Sequence, residues 1–339
     1  MKRLLMVLLI AALTFTGIAV AAQEDGTTLL SPMDLMSRPA SANMEGFRYE
    51  AQGWNNCGPA TLTMGLSYFG YQDNQLPAAN WLKPNTEDKN VSPWQMVQFV
   101  NEEAPGTTRA LMRYGGDLDL LKTLIANEFP VIIEAGYDPP PHDLGWMGHY
   151  LLMKGYDDNI TTFITHDSYD GANHPYAYAE IEDKWYHFNN VYIVLYDITR
   201  EAELMELLGT DADPVTNLQN TMESLTADFQ ADPTNPFTLF NIGSIAVEMG
   251  NYEVAVGFYD EARRIGLPWR MLWYQFGPFE AYYSVGRYGD VIQLAQANLN
   301  DGGGQYVEET YFYAGLAREA LGETQRAVQN YNTAIQFNP

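Results

Sequence analysis

The sequence predicts two folded units in one chain, an α+β domain in the N-terminal half and an all-α array of helical repeats behind it. Three observations carry that expectation. Apolar residues recur at helical spacing through Ile125 and then give way to short β-rich runs that begin after Pro130. From Asp232 the chain turns helical again and repeats itself, with Gly250, Gly286 and Gly322 standing 36 residues apart. The 339 residues are enough for two or three domains, each with its own core.

Residues 1–22 read as a secretory signal peptide, with Lys2 and Arg3 ahead of an apolar run and Ala19-Val20-Ala21 as a small-x-small cleavage site. The run is long for a signal, so an uncleaved N-terminal membrane anchor is the second reading. Either one places the protein outside the cytoplasm, secreted or at the cell surface. Residues 23–45 are small and polar and read as a linker. Lys and Arg total 18 against 43 Asp and Glu, a net charge of -25, which argues against nucleic acid or an anionic membrane surface as partner.

The α+β unit is expected to open at Gln52-Gly53-Trp54-Asn55-Asn56-Cys57-Gly58-Pro59-Ala60. Gly58 and Pro59 break the preceding chain, and Leu62, Leu66 and Phe69 then mark one face of a helix ending at Gly70. Cys57 therefore sits at a helix N-terminus, where unpaired N–H groups and the helix dipole favour a thiolate. It is the only cysteine, so it can make no disulfide within the chain, and a lone thiol in an exported protein points to chemical use. The bland alternative is a small buried hydrophobe. Further on, Ser92-Pro93-Trp94-Gln95 forms a capping-box pattern, and Asp117 caps a helix carrying Leu118, Leu121, Leu124 and Ile125.

β-rich runs follow at 131–135, 150–153, 161–165 and 191–195, and the order of helices before an antiparallel sheet is an α+β layout. The Pro-rich segment 138–148 between the first two runs reads as a groove wall or a plain crossover. His149 opens the second run and Asp167 closes the third. A hairpin turning at Asp157-Asp158-Asn159 would make the two cross-strand neighbours. An aspartate accepting from one imidazole nitrogen leaves the other free to take a thiol proton. Taken singly, a strand-start histidine reads as structural and an aspartate before Ser168 as a turn former. Their joint placement with Cys57 favours catalysis. The five histidines, His142, His149, His166, His174 and His187, show no helical i, i+4 pair and have no companion cysteine, so neither a metal nor any other cofactor is expected.

The pattern Gln-x-x-x-x-Cys-Gly-Pro, the Gly-His-Tyr strand and the later strand ending in Asp resemble the papain-like peptidase family whose founding members trim double-glycine leaders from bacteriocin precursors. The resemblance covers residues 46–200. It implies a papain-like α+β cysteine peptidase domain with Cys57 as nucleophile, His149 as general base and acid, and Asp167 as the residue orienting it. Gln52 is implied as the side-chain donor to the oxyanion, with the Cys57 N–H as the second donor. In transporter-linked members the glutamine usually stands one residue farther from the cysteine. The chain has no ATP-binding cassette, so leader processing is not implied.

Residues 201–232 read as connecting helices and 233–339 as three repeats. Asn241-Ile242-Gly243 with Ala255, Tyr259 and Ala262 returns as Ala314-Gly315 with Ala327, Tyr331 and Ala334. The middle copy is degenerate, with Val291, Ala295 and Asn298 in the places of Ala, Tyr and Ala. The pattern resembles tetratricopeptide repeats, which implies a solenoid that binds a peptide or protein partner or docks structurally. The aromatic run 269–276 reads as contact surface or as core. The expected whole is an exported cysteine peptidase working through a thioester on a peptide or protein substrate. Two alternatives stay open: an extracytoplasmic peptide-binding or assembly protein without catalysis, and an amidase or transpeptidase using the same three residues.

Overall fold

The computed structural model describes residues 38–104, 106–138, 145–300 and 302–339. The expected signal peptide, most of the linker, and the middle of the Pro-rich segment with His142 lie outside the described residues.

One antiparallel sheet organises the N-terminal part. Its strands are β1 (Ser41–Asn43), β2 (Thr108–Arg113), β3 (Val131–Tyr137), β4 (Met147–Asp157), β5 (Thr162–Asp167), β6 (Gly171–Ala177) and β7 (Tyr192–Asp197). They run in the order β2-β7-β3-β4-β5-β6, with β1 beside β4. The expected linker is thus corrected at its C-terminal end: Ser41, Ala42 and Asn43 pair with Asp157, Tyr156 and Gly155. The central strands β3, β4 and β7 are covered on both faces, so they read as continuous apolar runs rather than alternating ones.

Three helices, α1 (Cys57–Ser67), α2 (Gln75–Leu82) and α3 (Pro93–Glu103), cover one face with Leu62, Met64, Leu66, Phe99 and Ile132 in one core. Two more, α4 (Leu118–Ala126) and α5 (Tyr178–Tyr186), cover the other with Leu121, Leu124, Ile133, Val194 and Trp185. The caps are those expected: Gln95 Oε1 accepts from the Ser92 N–H at 2.8 Å, and Asp117 Oδ1 from the Leu120 N–H at 2.7 Å. α1 lies close to the sheet at Gly65, where a Cβ would stand 2.5 Å from Leu195 Cδ1.

Eight helices follow. α6 (Glu201–Leu208) and α7 (Pro214–Ala231) connect to three helix pairs: α8 (Pro236–Glu248) with α9 (Tyr252–Ile265), α10 (Gly277–Ser284) with α11 (Tyr288–Leu299), and α12 (Glu308–Ala320) with α13 (Thr324–Phe337). Each pair turns at a glycine with positive φ: Gly250 at 72°, Gly286 at 76° and Gly322 at 78°. In the first pair Gly243 lies under Tyr259, and in the third Gly315 lies under Tyr331. At the matching places of the middle pair stand Phe279 and Ala295, both buried, so the large residue has moved to the opposite helix. The degenerate copy thus keeps one large and one small residue with their places exchanged.

This helical region is docked on the sheet domain through paired polar groups. Tyr114 and Asn217 exchange two hydrogen bonds, the Tyr114 N–H donating at 3.0 Å and Asn217 Nδ2 returning at 2.8 Å. Asn189 Nδ2 donates to the Asn241 carbonyl at 3.2 Å, and Asn241 Nδ2 to the Tyr186 carbonyl at 2.7 Å. The aromatic run 269–276 supplies Trp273 and Tyr274 to a shared core with Phe188 and Val191, so that part of it is core, while Trp269 is exposed.

Candidate active site

The segment before Cys57 is held from two sides. The Gln52 N–H donates to the Ser168 carbonyl at 2.8 Å, which ties it to the end of β5. Gln75, at the start of α2, accepts from the Gly53 N–H at 2.7 Å and donates to the Ala51 carbonyl at 2.9 Å. Asn55 then adopts φ 55°, a left-handed conformation asparagine tolerates, and Asn56 precedes the helix without a side-chain cap. Cys57 is the first residue of α1 and is half-buried. Its N–H belongs to the unpaired first turn of that helix.

His149 and Asp167 are both buried, and His149 Nε2 meets Asp167 Oδ1 at 2.9 Å. The register pairs Asp167 with Leu151, so His149 lies one step diagonally along the strand rather than directly opposite. The cross-strand expectation is corrected by that offset. Cys57 also acts on the same imidazole, raising its pKa. Since Nε2 holds Asp167, Nδ1 is the nitrogen left free to take a thiol proton.

Burial alone would lower the His149 pKa, but the Asp167 carboxylate and Cys57 outweigh it and raise it to about 10. Asp167 shows the reverse. Burial pushes its carboxyl up, yet the His149 charge and hydrogen bonds from His149, Asp170 and Tyr176 hold it below the usual carboxylate range. Besides His149, Oδ1 accepts from the Tyr169 N–H at 2.7 Å and the Asp170 N–H at 3.0 Å, and Oδ2 from the Tyr176 hydroxyl at 2.7 Å. A carboxylate so satisfied stays ionised and rigid.

Gln52 is tied to the residue that follows Asp167, its Oε1 accepting from Ser168 Oγ at 2.8 Å. That bond fixes the amide with its NH2 end directed away from Ser168. The other described histidines are not drawn into the site. Burial lowers His166 and His187 to about 4, and among the described residues no cluster of histidine, cysteine and carboxylates could hold a metal ion.

Several neighbours escaped the sequence reading. Tyr137 stacks at a tilt on His149 with centroids 4.8 Å apart, and its hydroxyl donates to Asp170 Oδ2 at 3.0 Å. Glu134 is buried on β3, paired in register with Tyr150, and its Oε1 has no hydrogen-bond partner among the described residues. Burial first, and Cys57 second, push that carboxyl well up. Glu134 sits in an apolar run whose pattern gives no sign of a site. Tyr176 lies on β6, an edge strand interrupted by Pro175, which hid the strand and the tyrosine with it.

An antiparallel sheet flanked by helices, with a cysteine at a helix start and a histidine and aspartate on adjacent strands, has the form of a papain-like α+β domain. Residues 44–193 match the model of the Peptidase_C39 like family. Among solved structures, the chain is similar to a Bacillus anthracis protein described as a C39-like peptidase, at 14% identity and a TM-score of 0.37, over 46% of this chain and 98% of that one. No curated protein matches the sequence.

Proposed function

We propose that residues 46–200 are a cysteine peptidase domain and that the protein hydrolyses peptide bonds outside the cytoplasm. The observation that carries this reading is the 2.9 Å hydrogen bond of His149 to Asp167, with Cys57 at the first turn of α1 acting on the same imidazole. In the mechanism, the Cys57 sulfur attacks the scissile carbonyl carbon while His149 Nδ1 holds the thiol proton. The oxyanion is met by the Cys57 N–H and by Gln52 Nε2, which Ser168 orients. The imidazolium then gives its proton to the departing amine, leaving a thioester. Water, deprotonated by the same imidazole, releases the acid and restores the thiol. Asp167 keeps the Nε2 proton in place throughout.

The helical pairs behind the domain are tetratricopeptide-like repeats in this reading, with a protein partner on their surface, and the N-terminal signal delivers the chain for export. The acidic surface, with a net charge of -25, favours basic over acidic peptides through a field that salt screens. The decisive test is mass spectrometry of a peptide library exposed to wild type and to Cys57→Ala. Cleavages made by the first and absent with the second are expected. Identical peptide maps, or equal labelling of Cys57 by iodoacetamide in wild type and His149→Ala at about pH 6, would overturn the reading.

A further inference from the structure

The helical array reaches the candidate site through one short segment. Between α9 and α10 the chain makes a 3-10 turn at Trp269–Trp273, and the ring of the next residue, Tyr274, is buried. That ring lies on Gly148, the residue before His149. A Cβ at Gly148 would stand 2.9 Å from Tyr274 Cδ1 and 2.9 Å from Phe188 Cζ, so only glycine lets the array approach this closely. Burial first, and Cys57 second, raise the Tyr274 pKa, which sets the phenol within electrostatic reach of the sulfur.

The same segment secures the chain just ahead of Gly148. Trp146 stacks on Phe188 with centroids 5.6 Å apart and meets Tyr274 edge-on at 6.0 Å. Trp146 Nε1 donates to His187 Nδ1 at 3.0 Å, and the His187 carbonyl accepts from Gln275 Nε2 at 3.1 Å. Arg270 Nη1 reaches the Trp146 carbonyl at 3.5 Å. Such support is needed here. β5 ends with Asp167 opposite Leu151, so Met147, Gly148 and His149 are paired with β3 alone. A backbone segment paired on one side only depends on packing for its exact position, and displacements of about 1 Å at a catalytic group cost on the order of a hundredfold in rate.

We infer that Tyr274 is a positioning residue for His149, supplied by the helical array, so that the array is part of the catalytic unit and not only a recruiting surface. The inference rests on the proposed roles of Cys57 and His149. It acts through the ring, which fixes the Gly148–His149 peptide, and therefore through where the imidazole stands relative to sulfur.

The test uses the full chain and measures alkylation of Cys57 by iodoacetamide against pH, a readout of the sulfur–imidazole pair that needs no substrate. Tyr274→Phe keeps the ring and is expected to stay within about twofold of wild type at every pH. Tyr274→Ala is expected to lose roughly tenfold at about pH 6, where the sulfur relies on the imidazole, and to stay within about twofold at about pH 9. Tyr331→Ala, an equal loss of ring in the last helix pair, should leave the profile unchanged. A wild-type profile in a cooperatively folded Tyr274→Ala, or the same loss in Tyr331→Ala, overturns the proposal. If Tyr274→Ala does not fold, Tyr274→Leu is judged by the same two criteria. A His149→Ala profile equal to wild type would instead remove the peptidase reading, so the two failures are separable.

Discussion

At the scale of single residues the firmest feature is the saturation of Asp167 by four donors. Tyr176 supplies one of them from a buried hydroxyl, and hydrogen bonds to charged groups contribute about 1.5–3 kcal/mol. Tyr176→Phe should therefore lower unfolding free energy by about that much in urea titrations. An unchanged midpoint would show that the carboxylate does not depend on this donor. The ion pair also has a pH signature. The raised His149 contributes stability that is complete below its ordinary value of 6.5 and is lost as pH climbs through about 10. The depressed Asp167 contributes stability present above its ordinary value of 3.8 and lost only as pH falls through its lowered one. The stability gap between wild type and His149→Gln should accordingly be widest between about pH 4 and pH 6.5 and should shrink toward pH 10. A gap that is flat with pH would mean that the two groups are not an ion pair.

At the scale of elements, close approach by glycine separates helices that are packed from those that are merely formed. Gly65 brings α1 onto the sheet, and an added methyl would stand 2.5 Å from Leu195 Cδ1, so Gly65→Ala should cost about 1–3 kcal/mol. Gly257 in α9 is exposed with nothing within 4 Å of its missing Cβ, so Gly257→Ala should instead stabilise by up to about 1 kcal/mol. Thermal melts of the two variants moving in the same direction would contradict this account. The sequence revealed the elements whose ends carry chemistry or whose faces are strongly apolar: α1 through Cys57-Gly58-Pro59, α3 through its capping box, α4 through Asp117, β3, β5 and β7 through their β-branched residues, and β4 through Tyr150-Leu151-Leu152-Met153. It hid the edge strands β2 and β6, where Arg109 and Arg113 or Pro175 interrupt the pattern, because an edge needs less apolar surface. Cys57 and Asp167 were legible because each stands at the end of an element, and His149 because it opens the apolar run Tyr150-Leu151-Leu152-Met153, although β4 itself starts two residues earlier at Met147. Glu134, Tyr137 and Tyr274 were not, since their place beside the site comes from strand pairing and from the packing of a segment more than a hundred residues away.

At the scale of the whole molecule, the helical array and the sheet domain meet over a buried acidic contact as well as an aromatic one. Asp88, in the loop between α2 and α3, is buried and lies near Glu308 and Glu309 at the start of α12. Glu308 Oε1 accepts from Asn338 Nδ2 at 2.7 Å, and Oε2 of each glutamate is buried without a hydrogen-bond partner among the described residues. Lys83 partly offsets Asp88. Burial first, and the neighbouring carboxylates second, push Asp88 and Glu309 well above their ordinary values. A carboxyl raised in the docked state favours docking when it is protonated. That advantage is complete at low pH and is lost as pH rises past the ordinary carboxylate range. The amide substitutions Asp88→Asn and Glu309→Gln remove the charge while keeping the size, so together they should raise the melting temperature at about pH 8 and leave it nearly unchanged at about pH 4. Equal shifts at both pH values would assign the effect to packing. A fall at pH 8 would show that these carboxylates hold the two parts together through partners, which would make the contact an attraction and not a repulsion relieved by protons.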